Sequence, residues 1–161
     1  MSGSEDQSAP AAQPPQGVPA GNGNYVFELA RVNHIEAGPD YSTAAGSLVE
    51  GERSIMGLMR MPRGTGARPH SHPNEQWVYV IEGTLMVEVD GTKAEAGPGC
   101  LIYFPPNSVH STIATTDRDV VFLTSKDRSH GVWGTPTDTS THGPRYQPGF
   151  EPPAPGGSRQ G

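Results

Sequence analysis

Two histidines separated by one residue, His70 and His72, are the first side chains in this sequence whose types and spacing could support chemistry. On a β-strand, residues two apart point to the same face, so the two imidazoles would converge, whereas on a helix they would diverge. Gln76 follows with the same parity, while Glu75 falls on the opposite face. This segment alone fits a metal site and a pair of structural histidines about equally well.

A third histidine, His110, favours the metal interpretation. It follows a glycine, an apolar run and a proline turn, in the segment GCLIYFPPNSVH that begins at Gly99. Three imidazoles at the edges of predicted strands match the ligand preferences of first-row transition metals. We therefore predict one divalent transition metal ion, and this donor set suits Fe, Mn, Ni, Zn, Co or Cu alike.

Short strands separated by turns must position these residues. The chain contains 21 glycines and 17 prolines, and 33% of it is hydrophobic, which favours many short strands over a helical bundle. Turn pairs such as Glu82-Gly83 and Asp90-Gly91 separate the apolar runs. Strands are predicted at 25–30, 47–50, 54–61, 76–82, 84–89, 93–96, 100–104, 110–114 and 120–125. The sequence thus predicts an all-β sandwich or barrel.

The two ends of the chain lack periodic apolar positions. Residues 1–24 are rich in Ala, Pro, Gln, Gly and Ser, and residues 135–161 are rich in Pro, Gly and Thr. Such segments bury too little apolar surface to offset the entropy lost on ordering. We predict a disordered N-terminal tail (1–24), one ordered domain (25–134) and a Pro/Gly-rich C-terminal tail (135–161). Within the last, Tyr146 and Phe150 could pack back onto the domain.

The net charge and the N-terminal sequence argue against several classes of protein. A formal net charge of -6 argues against a nucleic-acid partner, which requires a basic surface. The N-terminus lacks the basic and apolar regions of a signal peptide, and no apolar run is long enough to cross a bilayer. The single cysteine, Cys100, cannot form an internal disulfide. We expect a cytoplasmic protein without a membrane partner.

The two histidine-bearing segments resemble the two motifs of the cupin superfamily, G-x5-H-x-H-x3,4-E-x6-G and G-x5-P-x-G-x2-H-x3-N. The matching residues are Gly64, His70, His72 and Gly83 in the first motif, and Gly99, Pro105 and His110 in the second. The departures are Gln76 for glutamate, Asn107 for glycine and Ala114 for asparagine. The resemblance covers about residues 45–125. It implies a double-stranded β-helix, a jelly-roll barrel whose mouth holds the metal.

The resemblance further implies that His70, His72 and His110 are metal ligands and that Gln76 occupies the fourth ligand position. Three imidazoles and an amide are neutral, so the full +2 charge of a divalent ion remains at the site, whereas a glutamate would reduce it to about +1. Such a site favours an anionic or chelating oxygen substrate. It leans towards redox-neutral chemistry.

Three kinds of side chain are expected to contact the substrate. Val78 and Val80 share the parity of Gln76 and should line the pocket as an apolar wall. Phe104 is expected beside them. Arg60 could pair with a substrate carboxylate at the barrel mouth.

Two residues, Tyr103 and His130, are candidates for acid–base chemistry, although neither is identified by a motif. Tyr103 and Phe104 alternate faces, so one of the two lines the pocket. His130 lies with Trp133 in a segment that follows the last strand and could fold over the mouth.

The function that this pattern favours is a metal-dependent enzyme acting on a small, oxygen-rich organic molecule by isomerisation, cyclisation, ring opening or β-elimination. One alternative is an Fe(II)-dependent dioxygenase, since related ligand sets carry out that chemistry. Another is a non-catalytic small-molecule or metal-binding module. The family resemblance also implies a homodimer, for which an edge near residues 25–30 could serve.

Overall fold

The structure, a computed structural model, describes residues 14–154. This part of the chain forms thirteen strands and one four-residue helix. They are β1 (Val18–Pro19), α1 (Leu29–Val32), β2 (Ile35–Glu36), β3 (Ala45–Glu50), β4 (Ser54–Met61), β5 (Thr65–Ser71), β6 (Gln76–Glu82), β7 (Leu85–Val89), β8 (Thr92–Ala96), β9 (Leu101–Phe104), β10 (His110–Ala114), β11 (Val120–Asp127), β12 (Thr135–Pro136) and β13 (Arg145–Tyr146). Within the described residues, no helix is both long and apolar enough to cross a membrane.

The strands form two sheets. One has the order β1-β3-β4-β11-β6-β9, with β2 also beside β3, and the other has the order β12-β5-β10-β7-β8, with β13 also beside β5. Pairing is antiparallel except between β1 and β3. From β4 to β11 the chain changes sheet at every connection except the β7–β8 hairpin. This alternation is the double-stranded β-helix that the sequence predicts, and the all-β class is confirmed.

Alternation of burial along β4 and β11 places the core between the two sheets. In β4 every second residue is buried, including Ile55, Met59 and Met61. In β11 the even-numbered residues face inward, beginning with the apolar Val120 and Phe122. Thr124 and Lys126 follow on the same face and are buried as well. The interior is therefore apolar beside the first half of β11 and polar beside its second half.

The predicted strand at 25–30 is wrong, whereas those at 54–61, 76–82 and 110–114 have the bounds of β4, β6 and β10. Tyr25 and Val26 are 75% and 90% exposed, and the short helix α1 begins at Leu29. A strand here would have needed the free edge of β3. That edge is already paired with β1 at Val49 and with β2 at Gly46.

Strand pairing extends beyond the predicted domain boundaries of 25 and 134. In the predicted N-terminal tail, β1 pairs with β3, and in the C-terminal segment β12 and β13 both pair with β5. Phe150 packs against Gly64, and the Arg63 guanidinium lies 5.6 Å from the centre of the Phe150 ring. Edge pairing uses backbone groups and needs no apolar periodicity, which explains why composition did not reveal it. Residues 1–13 and 155–161 of the predicted tails lie outside the described residues.

The pairing of β5 with β10 determines which residues of the two histidine segments face each other. His110 lies opposite His70, and the register shifts between His110 and Thr112. Next to this irregularity, a Cβ at Gly66 would overlap the carbonyl oxygen of Thr112. Glycine at this position therefore allows the two backbones to approach closely.

We expect Gly66→Ala to lower the free energy of unfolding by about 1–3 kcal/mol, because the new methyl group collides with backbone rather than with a movable side chain. Thermal and denaturant unfolding of the two proteins measure the difference. Gly97→Ala is the matched control, since a Cβ there meets only Thr84 Oγ1 at 3.7 Å. Equal destabilisation by both variants would contradict the close-approach explanation.

Candidate metal centre

The ends of three strand segments bring the three histidines together. His70 is the penultimate residue of β5, His72 follows that strand directly, and His110 begins β10. One ring nitrogen of each lies within 4.8 Å of the others. All three side chains are buried, with 7%, 3% and 3% exposure. The parity argument for His70 and His72 thus agrees with the side-chain positions.

Each imidazole is held by the backbone through its Nδ1 atom. His70 Nδ1 lies 2.7 Å from Arg68 O, His72 Nδ1 lies 2.8 Å from Asn74 O, and His110 Nδ1 lies 3.0 Å from Ser108 O. A carbonyl oxygen only accepts, so Nδ1 carries the proton in all three rings and donates it. The Nε2 lone pairs are therefore free to bind a metal.

Gln76 contributes an oxygen to the same cluster. Its Nε2 donates to Thr124 Oγ1 at 2.8 Å, and that hydroxyl lies 3.3 Å from Trp77 O, to which it donates. This pairing turns Gln76 Oε1 towards His72 Nε2, at 3.1 Å. The amide oxygen and the deprotonated imidazole nitrogen are both acceptors, so their approach is favourable only with a proton or a metal ion between them.

Burial makes a metal ion the better partner than a proton. Burial lowers the pKa of His72 to about 4, with the positive charge of Lys126 adding to the effect. Burial and the neighbouring His72 lower the pKa of His110 to about 4. The pKa of His70 is also well below its ordinary value, mainly through burial and then through His110. All three rings are therefore neutral at pH 7, the form that binds a metal.

The donor set fits a divalent transition metal. His110 Nε2 is buried and has no hydrogen-bond partner among the described residues. Such an atom carries a desolvation cost that a bound metal would remove. His70, His72, His110 and Gln76 would hold the ion with three nitrogens and one oxygen, a combination common to Zn, Fe, Mn, Co, Ni and Cu sites.

A cavity of about 70 Å³ between the two sheets opens beside this cluster. That space suits roughly five water molecules or a small organic compound. Its wall is mainly apolar and includes Leu48, Met59, Val78, Leu85, Phe104 and Phe122. Its polar lining includes Tyr41, His70, Gln76, His110, Thr124 and Lys126.

Sequence reasoning missed Lys126, Tyr41 and Asn74. Lys126 is buried, and burial lowers its pKa to about 8. Its even parity with Phe122 on β11 could have revealed it, because a lysine on the inner face of a strand is unusual. Tyr41 packs against His70 with ring centres 4.3 Å apart, and burial raises its pKa to about 12. It lies outside any strand, so no periodicity marked it.

The segment that follows β11, which the sequence analysis placed over the barrel mouth, lies against the site. Asn74 is fully buried, and its Nδ2 donates to Asp127 O at 3.0 Å. Val132 lines the cavity, and the Gly134 N–H donates to Tyr41 Oη at 2.7 Å. A Cβ at Gly134 would lie 3.0 Å from His70 Cδ2, so this backbone lies directly against the imidazole.

Three of the predicted substrate-binding residues have inward-facing side chains. Val78 and Phe104 line the cavity, and the Phe104 ring lies 4.3 Å from that of His110. Val80 is fully buried but belongs to the core rather than to the cavity lining. Of the pair Tyr103 and Phe104, Phe104 therefore faces the pocket.

The structure places the other three candidates outside the cavity. Arg60 Nη1 donates to Asp119 Oδ2 at 2.7 Å on the outer face of β4, so we do not retain it as a substrate ligand. Tyr103 stacks on Trp77 and donates to Glu75 Oε2 at 3.0 Å. These residues lie on the outer face of the same sheet, near its β9 edge. Strand parity, unknown for 54–61 and 100–104 from the sequence alone, decides both positions.

His130 is exposed, and its backbone carbonyl accepts a bond from Asn74 Nδ2 at 3.4 Å. The covering segment contributes Val132 to the cavity instead. Neither Tyr103 nor His130 is therefore positioned to transfer a proton inside the barrel.

Comparison with known proteins agrees with this architecture. Residues 57–126 match the family model of the cupin domain, Cupin_2. The dimethylsulfoniopropionate lyase DddW of Ruegeria pomeroyi is 30% identical over 60 residues, which are 37% of this chain and 40% of the lyase. The chain thus matches less than half the length of this curated relative.

Two crystal structures share the fold at 19% sequence identity. The polyketide cyclase RemF from Streptomyces resistomycificus superposes with a TM-score of 0.61, over 70% of this chain and 84% of the cyclase. An RmlC-like cupin from Shewanella frigidimarina superposes with a TM-score of 0.51, over 61% of this chain and 85% of its own. At this level of identity the likeness concerns the barrel, not the reaction.

Replacing His72 with alanine should abolish tight metal binding while leaving the barrel folded, because one of four donors is lost. Elemental analysis after dialysis against a metal buffer measures the occupancy, and circular dichroism checks the fold. His130→Ala is the matched control, since that histidine is exposed and outside the cluster. Full metal occupancy in His72→Ala would show that the ligand assignment is wrong.

Lowering the pH from 7 to 5 should destabilise the metal-free protein. In this window an unfolded histidine, with a pKa near 6.5, takes up a proton, whereas folded His72 and His110 do not until about pH 4. Unfolding therefore binds protons, and stability falls as pH falls. Thermal unfolding at several pH values tests this, and His110→Leu should show a shallower dependence. A constant or rising melting temperature towards pH 5 would contradict it.

Proposed function

We propose that this chain, whose residues 57–126 match the cupin domain and whose fold is that of cupins, is a metal-dependent cupin enzyme acting on a small, oxygen-rich organic molecule. The reaction we propose is redox-neutral, of the isomerase, lyase or cyclase type. Its ligands would be His70, His72, His110 and Gln76.

One observation carries the proposal. One ring nitrogen of each histidine lies within 4.8 Å of the others at the edge of an apolar cavity. Gln76 Oε1 lies 3.1 Å from His72 Nε2, and every Nδ1 atom is already bound to a backbone carbonyl. Side chains that served packing alone would not need three tautomers fixed in the same sense. A neutral shell of this kind leaves the charge of the ion undiminished for the substrate.

A divalent metal held there would supply Lewis-acid stabilisation of negative charge that develops on a substrate oxygen. The chain itself contributes orientation and the exclusion of water. Val78, Phe104 and Phe122 confine the substrate against the cluster. The segment that ends at Gly134 covers it from the outside, which strengthens electrostatic interactions within the cavity.

Tyr41 is a polar group that could act on the substrate directly. Tyr41 lines the cavity, and its hydroxyl accepts the Gly134 N–H bond. Among the described residues the hydroxyl has one acceptor, the carbonyl of Ala37, at the long distance of 3.4 Å. Since burial raises its pKa to about 12, the phenol keeps its proton at neutral pH. In this state it can donate a hydrogen bond to a substrate oxygen.

The comparison with a lyase favours the redox-neutral reaction over oxygen-dependent chemistry. DddW is a dimethylsulfoniopropionate lyase, and the similarity covers 40% of its length, so its substrate is not transferred to this chain. A homodimer and a cytoplasmic location remain predictions. The exposed apolar residues Trp77, Tyr79 and Leu101 on the outer faces of β6 and β9 are consistent with a subunit contact.

The proposal is tested by elemental analysis of protein purified without added metal, followed by assays with sugar acids, β-diketones and catechols in an oxygen electrode. We expect about one zinc, nickel or manganese per chain, and turnover without O2 uptake. His72→Ala is the control and should show no turnover. Stoichiometric iron with substrate-dependent O2 uptake would overturn the redox-neutral assignment in favour of a dioxygenase. Failure to bind any metal after reconstitution would overturn the metal-dependent function altogether.

A further inference from the structure

A lysine points into the interior of the barrel beside the metal centre. Lys126 is the last inward-facing residue of β11, and its Cα pairs with that of Gln76 on β6. The residue is only 8% exposed and lines the cavity together with Thr124. It shares this cavity with His70, Gln76 and His110.

The ammonium group of Lys126 is only partly satisfied by the protein. Nζ donates to Val132 O at 2.7 Å, its one hydrogen bond among the described residues. Nor does it form an ion pair with any carboxylate of residues 14–154. An ammonium has three N–H donors, so two remain for another partner.

No negative charge in the cavity offsets this lysine. None of the described residues that line the cavity is acidic. The fourth candidate ligand, Gln76, is neutral where a glutamate would have provided an anion directly opposite Lys126. A buried cation without a counter-ion is costly, and a divalent ion held by neutral ligands would add to that cost. The missing negative charge is therefore not supplied by residues 14–154, and a bound anion could supply it.

We propose that Lys126 is a substrate-binding residue that recognises the carboxylate of a small organic acid inside the barrel, next to the metal centre. The inference rests on the proposed function in that it places the ligand in the same cavity, and it adds the chemical class of that ligand. One carboxylate oxygen accepts hydrogen bonds from Lys126 Nζ, a charge-assisted contact in a site of low dielectric.

The remainder of the ligand is defined by the cavity wall. Most of the wall is apolar, with Leu48, Met59 and Leu85 among its residues, so a chain hydroxylated at every carbon would leave some hydroxyl groups without partners. The cavity volume of about 70 Å³ holds only a few heavy atoms. The pocket therefore favours a short organic acid whose carbon chain contacts apolar side chains while its carboxylate faces Lys126.

A purely structural role is the competing explanation for Lys126. Its bond to Val132 O helps to hold the covering segment in place. A neutral donor of similar size could make the same bond without the cost of burying a charge. Lys126→Gln keeps a donor but removes the charge, and Lys126→Met removes both, so the two variants separate the two roles.

The probes are propionate and its neutral isostere propionamide, titrated by calorimetry at pH 7 into the zinc-loaded and the metal-free full-length protein. We expect the wild type to bind propionate at least about tenfold more tightly than propionamide, as for one charge-assisted hydrogen bond. Both Lys126→Gln and Lys126→Met should lose this preference and retain zinc. Lys93→Met is the matched control, because it removes the same charge from an exposed position on β8 and should keep the preference.

Undiminished preference for propionate in Lys126→Gln and Lys126→Met would overturn the proposal, as would a wild type that binds the two probes equally. Loss of the preference in Lys126→Met but not in Lys126→Gln would assign Lys126 the structural role instead. The proposed metal function fails separately if neither the wild type nor any of the variants binds zinc. In that case a preference of metal-free wild type for propionate, lost in Lys126→Gln, would still establish the anion site.

Discussion

Three hydrogen bonds between imidazole Nδ1 atoms and backbone carbonyls are the interaction on which the interior of this barrel depends. They come from residues two positions before or after each histidine, at Arg68, Asn74 and Ser108. Because each carbonyl belongs to a strand or to the turn beside it, the geometry of the backbone determines the orientation of the ring. The same bonds direct the Nε2 lone pairs into the cluster. Because the rings are buried, protonation of these nitrogens is costly.

The two sheets contribute different things to that point. The six-stranded sheet provides the histidines, from β5 and β10, whose pairing places His70 opposite His110. The seven-stranded sheet provides Gln76 and Lys126, from β6 and β11, which are also neighbours across strands. The imidazoles thus face an amide and an ammonium across the cavity. Relative displacement of the sheets would separate the histidine nitrogens from the Gln76 oxygen, so the packing of the apolar core also maintains the candidate metal site.

Much of this arrangement could be predicted from residues and their parity. Short apolar runs bounded by turn residues predicted the strands at 54–61, 76–82 and 110–114, and the two-residue spacing of His70 and His72 predicted a shared face. The positions of Arg60 and Tyr103 could not be derived in this way. A strand with apolar residues on both faces, such as β4 with Met56 and Met59, has no parity that identifies the inner side before the sheets are assembled.

Residues outside regular alternation were also beyond prediction. Tyr41 reaches His70 from a turn, and its contact with Gly134 depends on a covering segment 93 positions away in the chain. Strands of two residues, such as β12 and β13, form because β5 offers them a free edge. No local sequence preference encodes such contacts, since the partner edge exists only in the folded barrel.

The cross-strand pairing of Gln76 with Lys126 implies that these two residues together determine the net charge of the cavity. With glutamate at 76, the lysine at 126 would have an internal counter-ion, and its charge would be balanced without a bound anion. With glutamine at 76, the same lysine leaves the cavity deficient by one negative charge. Exchanging either residue alone, Gln76 for glutamate or Lys126 for a neutral side chain, would thus remove the need for an external anion and let the cavity bind a neutral molecule.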